Sequence, residues 1–273
     1  MSTHLIIPDQ HATPEHSNER FDWLGKLIKD LRPDVVINMG DMVDMASLSS
    51  YDRGTTSFEG KRYYKDIASG LDAQERMISP VRKSKKKMPR LVFTTGNHED
   101  RINKAVNADS RLEGTIGMKD LRLEEFGWEV YPFLKTAIVD GIAYAHYFTS
   151  GVMGRPVGGE NPGKALLNKQ HMSATSGHTH TLDFATTVNA AGKRLMGLVC
   201  GVYVDYPSSW NNAQSEALWW SGVVIKRNVD HGTYDPQFVS IDTLRKEYSN
   251  GKRQYTVQPK AKSKPRRAKT AHR

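Results

Sequence analysis

The sequence predicts an α/β protein whose first half builds a mostly parallel sheet and whose second half adds antiparallel hairpins. Two patterns predict it. Up to residue 97, short apolar runs alternate with longer segments of helical periodicity, giving the β-α-β-α-β order of a parallel sheet. Beyond residue 135, pairs of apolar runs joined by glycine-containing turns read as hairpins. The change from β-α to β-β units leaves room for a two-sheet sandwich.

In chain order, "HLIIP" is a short strand stopped by Pro8. "RFDWLGKLIKDLRP" carries Phe21, Leu24, Leu27, Ile28 and Leu31 at helical spacing and is closed by Pro33. "DVVINMGD" is a second buried strand, residues 61–80 a second helix and "RLVFTTGN" a third strand. "KTAIVDGIAYAHYF" folds about the Asp140-Gly141 turn. "SGVMGRPVGGENPGKAL" is too irregular for an element, and its stretch 151–164 is a candidate lid because it joins two polar segments. "TLDFATTVNAAGKRLMGLVCGVYV" and "ALWWSGVVIKRNVDHGTYDPQFVSID" are the remaining hairpins.

The 273 residues suffice for a substantial core, and 38% hydrophobic with 25% charged residues is ordinary for a globular chain. Cys200 is the single cysteine, so no internal disulfide forms. No apolar run reaches the length of a membrane span and no signal peptide is evident, so the expectation is a cytoplasmic protein without a membrane partner. The net charge of +9 resides in residues 252–273, where nine Lys or Arg occur without an acid; upstream, 30 basic residues face 30 acidic ones. The chain therefore divides into a domain over 1–251 and a basic flexible tail over 252–273, which suits nucleic acid phosphates or simple solubilisation. A second basic run, "RKSKKKMPR" at 82–90, reads as a solvated loop.

The three strands expected to be parallel end in "PDQH", "GDMVD" and "GNHED", so each delivers polar residues to the carboxyl edge where α/β sheets bind ligands. Asp9, His11, Asp41, Asp44, Asn97 and His98 come from these ends; His146 in "YAHYF" and His178 and His180 in "SGHTHT" join them. Residues two apart in an extended segment face the same way, which lets Asp9 converge with His11, and His178 with His180. Imidazole, amide and carboxylate donors without thiolate suit divalent manganese first, with iron, zinc or nickel as alternatives. A shared carboxylate points to two ions. His171 stands close enough to the last motif to compete as a ligand but reads as a buried or surface histidine. His4 reads as structural, Glu99 and Asp100 as supporting acids, and Arg101 and Arg155 as candidate substrate contacts.

Asp9-Gln10-His11, Gly40-Asp41-Met42-Val43-Asp44, Gly96-Asn97-His98-Glu99, His146 and Gly177-His178-Thr179-His180 occur in the order of the calcineurin-like metallophosphoesterase motifs. Over residues 9–180 the chain resembles that superfamily, and within it the small bacterial and phage members. The resemblance implies a β-sandwich of two mixed sheets flanked by helices, with two divalent cations and a bridging hydroxide for in-line attack on phosphorus. It would give Asp9, His11 and His180 to one ion, Asn97, His146 and His178 to the other, and Asp41 to both. His98, paired with Asp44, would serve the leaving oxygen, and Gly96 would let the backbone turn into the site. Phosphoprotein phosphatases of this kind carry Arg-Gly after the second Asp; here Met45-Ala46 follows Asp44, and Arg53-Gly54 stands further on.

The reading is therefore a phosphodiesterase or nuclease first. The alternatives are a phosphomonoesterase for small molecules or phosphoproteins, and a nucleic-acid-binding protein with a vestigial site. Tyr51, Phe58, Tyr63 and Tyr64 beside Lys61, Arg62 and Lys65 either line a strand-binding surface or form a packed helix face, the latter being preferred. Trp210, Trp219 and Trp220 either wall the substrate or fill the core.

Overall fold

The structure, a computed structural model, describes residues 1–207 and 213–249; Trp210 and the basic stretch 252–273 lie outside the described residues. The chain begins β1 (Ser2–Ile7), α1 (Glu19–Leu31), β2 (Val35–Asn38), α2 (Tyr63–Lys83), β3 (Arg90–Thr94), α3 (Asp100–Ala108), α4 (Leu123–Phe126) and β4 (Trp128–Tyr131). It continues β5 (Ala137–Val139), β6 (Ile142–Tyr144), β7 (Thr149–Ser150), β8 (Arg155–Pro156), α5 (Pro162–Gln170), β9 (Ala174–Ser176), β10 (Leu182–Val188) and β11 (Arg194–Cys200). It closes with α6 (Ala213–Glu216), β12 (Gly222–Asp230), β13 (Thr233–Ser240) and α7 (Ile241–Tyr248).

Six strands form one mixed sheet in the order β13-β12-β1-β2-β3-β4, parallel from β1 to β4. Five form a second in the order β10-β11-β9-β6-β5, with β11, β9 and β6 parallel and antiparallel edges. Alternation along each strand explains the uninterrupted apolar runs of the first half. Leu5 and Ile7, Val36, and Leu91 and Phe93 face α1, α2 and α7, whereas Ile6, Ile37 and Val92 face the second sheet. The second sheet answers with Val139, Tyr144, Leu198 and Cys200, and α5 covers its outer face through Leu166 on Ala143, Ala174 and Val199. The result is the expected sandwich of two mixed sheets flanked by helices.

Several details differ from the expectation. The stretch 150–166 is not featureless: it holds the β7/β8 ribbon, and Pro162 opens α5. Proline is favoured in the first helical turn, so the residue that looked like a breaker is a start signal. Strands β4 and β9, the latter only "ATS", gave too short and too polar a pattern to be read from sequence. The four tyrosine and phenylalanine residues do not share one packed helix face. Tyr63 rests on the core and its hydroxyl donates to Asp120 Oδ2 at 2.7 Å, while Tyr51 and Tyr64 are exposed.

Between the sheets lies a buried lysine without an ion pair among the described residues. Lys226 is 0% exposed; its Nζ donates to Thr175 Oγ1 at 2.5 Å and Tyr144 Oη at 3.3 Å, under the rings of Tyr144 and Tyr234 at 4.5 and 4.4 Å. Burial drives its pKa well below 10.5. His4 extends the same polar seam, with Nδ1 2.8 Å from Tyr144 Oη and Nε2 3.0 Å from Asp140 Oδ2, a structural role as expected. Because the folded amine holds its proton less tightly than the unfolded one, the penalty is largest at low pH and shrinks as pH rises toward 10.5. Lys226→Met should therefore raise stability at neutral pH. It should also remove a slope of up to about 1.4 kcal/mol per pH unit from urea unfolding measured between pH 6 and 9. An unchanged slope would mean that the amine is not the group titrating.

Candidate metal centre

The loops after β1, β2 and β3 and those after β6 and β9 meet at one end of the sandwich. The first two are zipped together: Gln10 and His11 both donate their backbone N–H to Asp41 O (2.9 and 2.8 Å), Ala12 N donates to Met42 O and Asp44 N to Ala12 O. Glu99, 0% exposed, ties in the third. Its Oε2 accepts from Asp41 N and Gly96 N, both at 2.9 Å, and its Oε1 from Val43 N at 3.1 Å. Glu99 is thus the supporting acid the sequence suggested. Burial, and then the Asp41 charge, raise its pKa.

Backbone donors also aim the two central carboxylates. Asp41 Oδ1 accepts from His98 N at 2.9 Å, which turns Oδ2 toward His146 Nε2 at 3.3 Å and His98 Nε2 at 3.8 Å. Asp9 Oδ2 accepts from His178 N at 2.6 Å and stands 3.3 Å from His180 Nε2. Both approaches require glycine. A Cβ on Gly96 would lie 2.1 Å from Asp41 Oδ1, and one on Gly177 would lie 2.3 Å from Asp9 Oδ1. Gly96 serves by this close approach, since its φ is not positive; the expected turning role belongs elsewhere.

It belongs to the candidate ligands themselves. His11, Asp41, His178 and His180 adopt φ of 44°, 47°, 70° and 62°, a left-handed conformation that costs a non-glycine residue about 1 kcal/mol or more. Convergence by alternation in an extended segment is therefore corrected: β1 and β9 stop before these residues, and left-handed turns direct them. Asp9, His11 and His180 form one group, and Asp41, His146 and His178 another, so His178 and His180 part company. Asp41 also groups with His11 and His98, standing between the two sets. Asn97 Oδ1 joins the second set, 2.9 Å from His146 Nε2.

The donor chemistry fits divalent cations. Asp9 Oδ1 is buried with no hydrogen-bond partner among the described residues. Ring nitrogens crowd at 3.2 Å, His11 Nε2 on His180 Nε2 and His146 Nε2 on His178 Nδ1. His146 Nδ1 lies 2.8 Å from Met39 O, and donating there presents the Nε2 lone pair to the cluster. Burial opposes charge on His146, but Asp41 and then Asp9 outweigh it and hold its pKa at about 10. Burial and the neighbouring His146 pull His178 down to about 4. Burial alone would raise Asp9 and Asp41; the histidines, His146 foremost, reverse this and lower both.

His98 and Asp44 lie beside these sets. His98 Nδ1 is 3.1 Å from Asp44 Oδ1 and 2.6 Å from Asp44 O. The pairing is shared, because His11 Nδ1 also reaches Asp44 Oδ1 at 3.2 Å. Arg101 turns away from the expected substrate role: Nη1 donates to Asp44 O at 2.9 Å, and Nη2 lies 3.2 Å from His98 Nε2. Arg155 is exposed on the β7/β8 ribbon, and His171, also exposed, caps α5. Neither Arg101 nor Arg155 lines the cleft over the cluster, nor does any residue of the 151–164 stretch.

That cleft measures about 340 Å³, and Asp41, Asn97, His98, His178 and His180 lie along it. Its other residues are Thr179, Thr181, Ser215, Leu218 and Trp219. The tryptophans divide: Trp219 meets His180 edge-on at 4.4 Å, whereas Trp220 packs into the inter-sheet core. Tyr147, which gave no signal beyond standing next to His146, packs against His178 at 4.7 Å. The fold and the cluster together define an α/β sandwich with buried His/Asp groups able to hold metal ions.

No protein-family model matches the chain, and no curated protein matches it. Among solved structures, the chain is similar to a Pseudomonas putida nuclease MPE (14% identity, 86% of this chain and 87% of that one, TM-score 0.38). It is also similar to TT1561 of Thermus thermophilus (8%, 88% and 99%, 0.36) and to purple acid phosphatase PPD1 from yellow lupin seeds (12%, 88% and 52%, 0.30). The architecture rests on this chain's own strand order.

Replacing Glu99 with Gln puts an amide donor against backbone donors. Unfolding free energy should fall by about 1–3 kcal/mol in denaturant titrations. A variant as stable as the wild type would show that the three loops hold without this clamp.

Proposed function

We propose that the protein is a metal-dependent phosphoesterase of the calcineurin-like type that cleaves phosphodiesters, those of nucleic acid first. The observation that carries this is the pair of donor sets with Asp41 between them, opening on a cleft with His98 at its side. Asp9, His11 and His180 would hold one cation and Asn97, His146 and His178 the other, with Asp41 shared; manganese suits these donors best. Such ions supply Lewis acidity toward a phosphate oxygen and lower the pKa of a water.

The chain's own residues do the rest. Asp44 fixes the ring of His98, its Oδ1 3.1 Å and its carbonyl oxygen 2.6 Å from His98 Nδ1. His98 is thereby suited to give a proton or a hydrogen bond to the departing ester oxygen. Asp44 likewise orients His11 by accepting from its Nδ1, so one carboxylate serves a metal ligand and the proton donor.

The cleft wall supports a diester. Among the described residues no lysine or arginine lines it, and Arg101 beside His98 is tied to the Asp44 carbonyl, so the single negative charge of a diester suits the cleft better than the two of a monoester. Leu218 and Trp219 instead offer an apolar shelf for a flat group, as a nucleobase would require.

Protein stripped with chelator and reloaded with manganese should cleave end-labelled DNA and bis(4-nitrophenyl) phosphate faster than 4-nitrophenyl phosphate, with Asp41→Ala as the contamination control. Preference for the monoester with intact DNA would make it a phosphomonoesterase. His98→Ala should lower turnover about 10²–10⁴-fold while two ions per chain remain bound. Full activity in that variant would remove His98 from the mechanism. Trp219→Ala should raise KM for DNA more than for bis(4-nitrophenyl) phosphate; equal effects on both would deny the shelf its role.

A further inference from the structure

A second basic surface lies at the end of the sandwich opposite the metal centre. Helix α1 ends at Leu31 and the chain enters β2 at Val35; α2 ends at Lys83 and the chain enters β3 at Arg90. These helix C-termini therefore sit at the amino edge of the parallel strands, while the cluster occupies the carboxyl edge. Two neighbouring clefts open here, about 420 and 490 Å³ in volume, and Lys29 lines both. Arg32 and Lys86 line the first with Lys29, and Lys83 the second.

These four side chains are exposed and make no ion pair among the described residues. Acids are present but in part committed. Asp22 is bound by Arg76 at 2.8 Å, and Asp30, Glu75 and Glu247 are the other acids that line these clefts. Lys85 and Lys87 flank Lys86 beyond the end of α2. Cations at a helix C-terminus complement its dipole, which accounts for Lys29 and Lys83 but not for the run that continues past the helix. Helix α7 also ends here: Tyr248 lines the first cleft, and its carbonyl accepts from Lys26 Nζ at 2.7 Å. From this point the sequence proceeds into the nine Lys and Arg of residues 252–273.

We propose that the foot of α1 and α2, centred on Lys29, Arg32, Lys83 and Lys86, is a non-catalytic binding site for the phosphate backbone of a nucleic acid strand, separate from the metal cleft. Elongated, unpaired positive charge in adjoining clefts is what a chain of phosphates needs, and it reads no sequence. A membrane surface would call for apolar side chains beside the charges. Among the described residues, none of the exposed large apolar side chains lines either cleft, and Met88 in the basic run is packed on the core. The site holds substrate near the enzyme without touching the scissile bond, so it stands even if the proposed chemistry fails.

The test uses the full chain and a labelled 30-nucleotide phosphorothioate DNA, with affinity measured across a salt series. The variant K29Q/R32Q/K83Q/K86Q should bind at least about tenfold more weakly at 100 mM salt, with a log–log slope reduced by about 0.7 for each phosphate no longer neutralised. A control variant, K119Q/K135Q/K169Q/K193Q, should keep both. Thermal melts establish that each variant folds. Turnover of bis(4-nitrophenyl) phosphate should match wild type in the first variant if the two sites are separate. Unchanged DNA affinity and slope would overturn the proposal. So would binding to phosphatidylserine vesicles but not DNA, or loss of small-diester turnover together with DNA binding.

Discussion

Asp9 and Asp41 are both buried, and neither can stay charged there without positive partners arranged around it. The rest of the structure is organised by that requirement. Backbone N–H groups of His178 and His98 reach the two carboxylates only because Gly177 and Gly96 bring the chain within a distance that excludes a side chain. Glu99 binds three loops from behind, so the approach cannot relax. The imidazoles of His11, His146, His178 and His180 then close around the carboxylates.

Much of this was legible in the sequence, for identifiable reasons. Leu5–Ile7 and Val35–Ile37 are buried on both faces, so they appear as unbroken apolar runs, and Phe21 through Leu31 keep a clean helical spacing. Asp9, Asp41, Asn97 and His146 stand just after strands, where polar residues are conspicuous. What could not be read were features set by tertiary contact. Strand β9 has three residues and gains its identity from pairing with β6 and β11. The left-handed turns at His11, Asp41, His178 and His180 leave no mark in composition, since such turns are usually announced by glycine or asparagine. Arg101 stands three residues after His98 on the following helix, but only the fold shows its guanidinium committed to the Asp44 carbonyl.

The two ends of the sandwich are built on different principles. At the carboxyl edge, charge is buried, paired and directed by backbone geometry, which favours a small ligand held in one pose. At the amino edge, Lys29, Arg32, Lys83 and Lys86 are exposed on flexible stems, which favours an extended partner in many registers. Parallel sheet topology separates them: each α/β crossover returns the chain to the amino edge, and each strand carries it back.

The bond from His146 Nδ1 to Met39 O crosses from one sheet to the other, and Asp9 accepts from a residue 169 positions further along the chain. The sets Asp9/His11/His180 and Asp41/His146/His178 each draw on loops of both sheets, so neither sheet can form them alone. Assembly of the centre must therefore come late in folding, after the long-range closure of the sandwich. Any affinity of these sets for cations would therefore depend on that closure, and a sliding of one sheet over the other would weaken it before altering secondary structure.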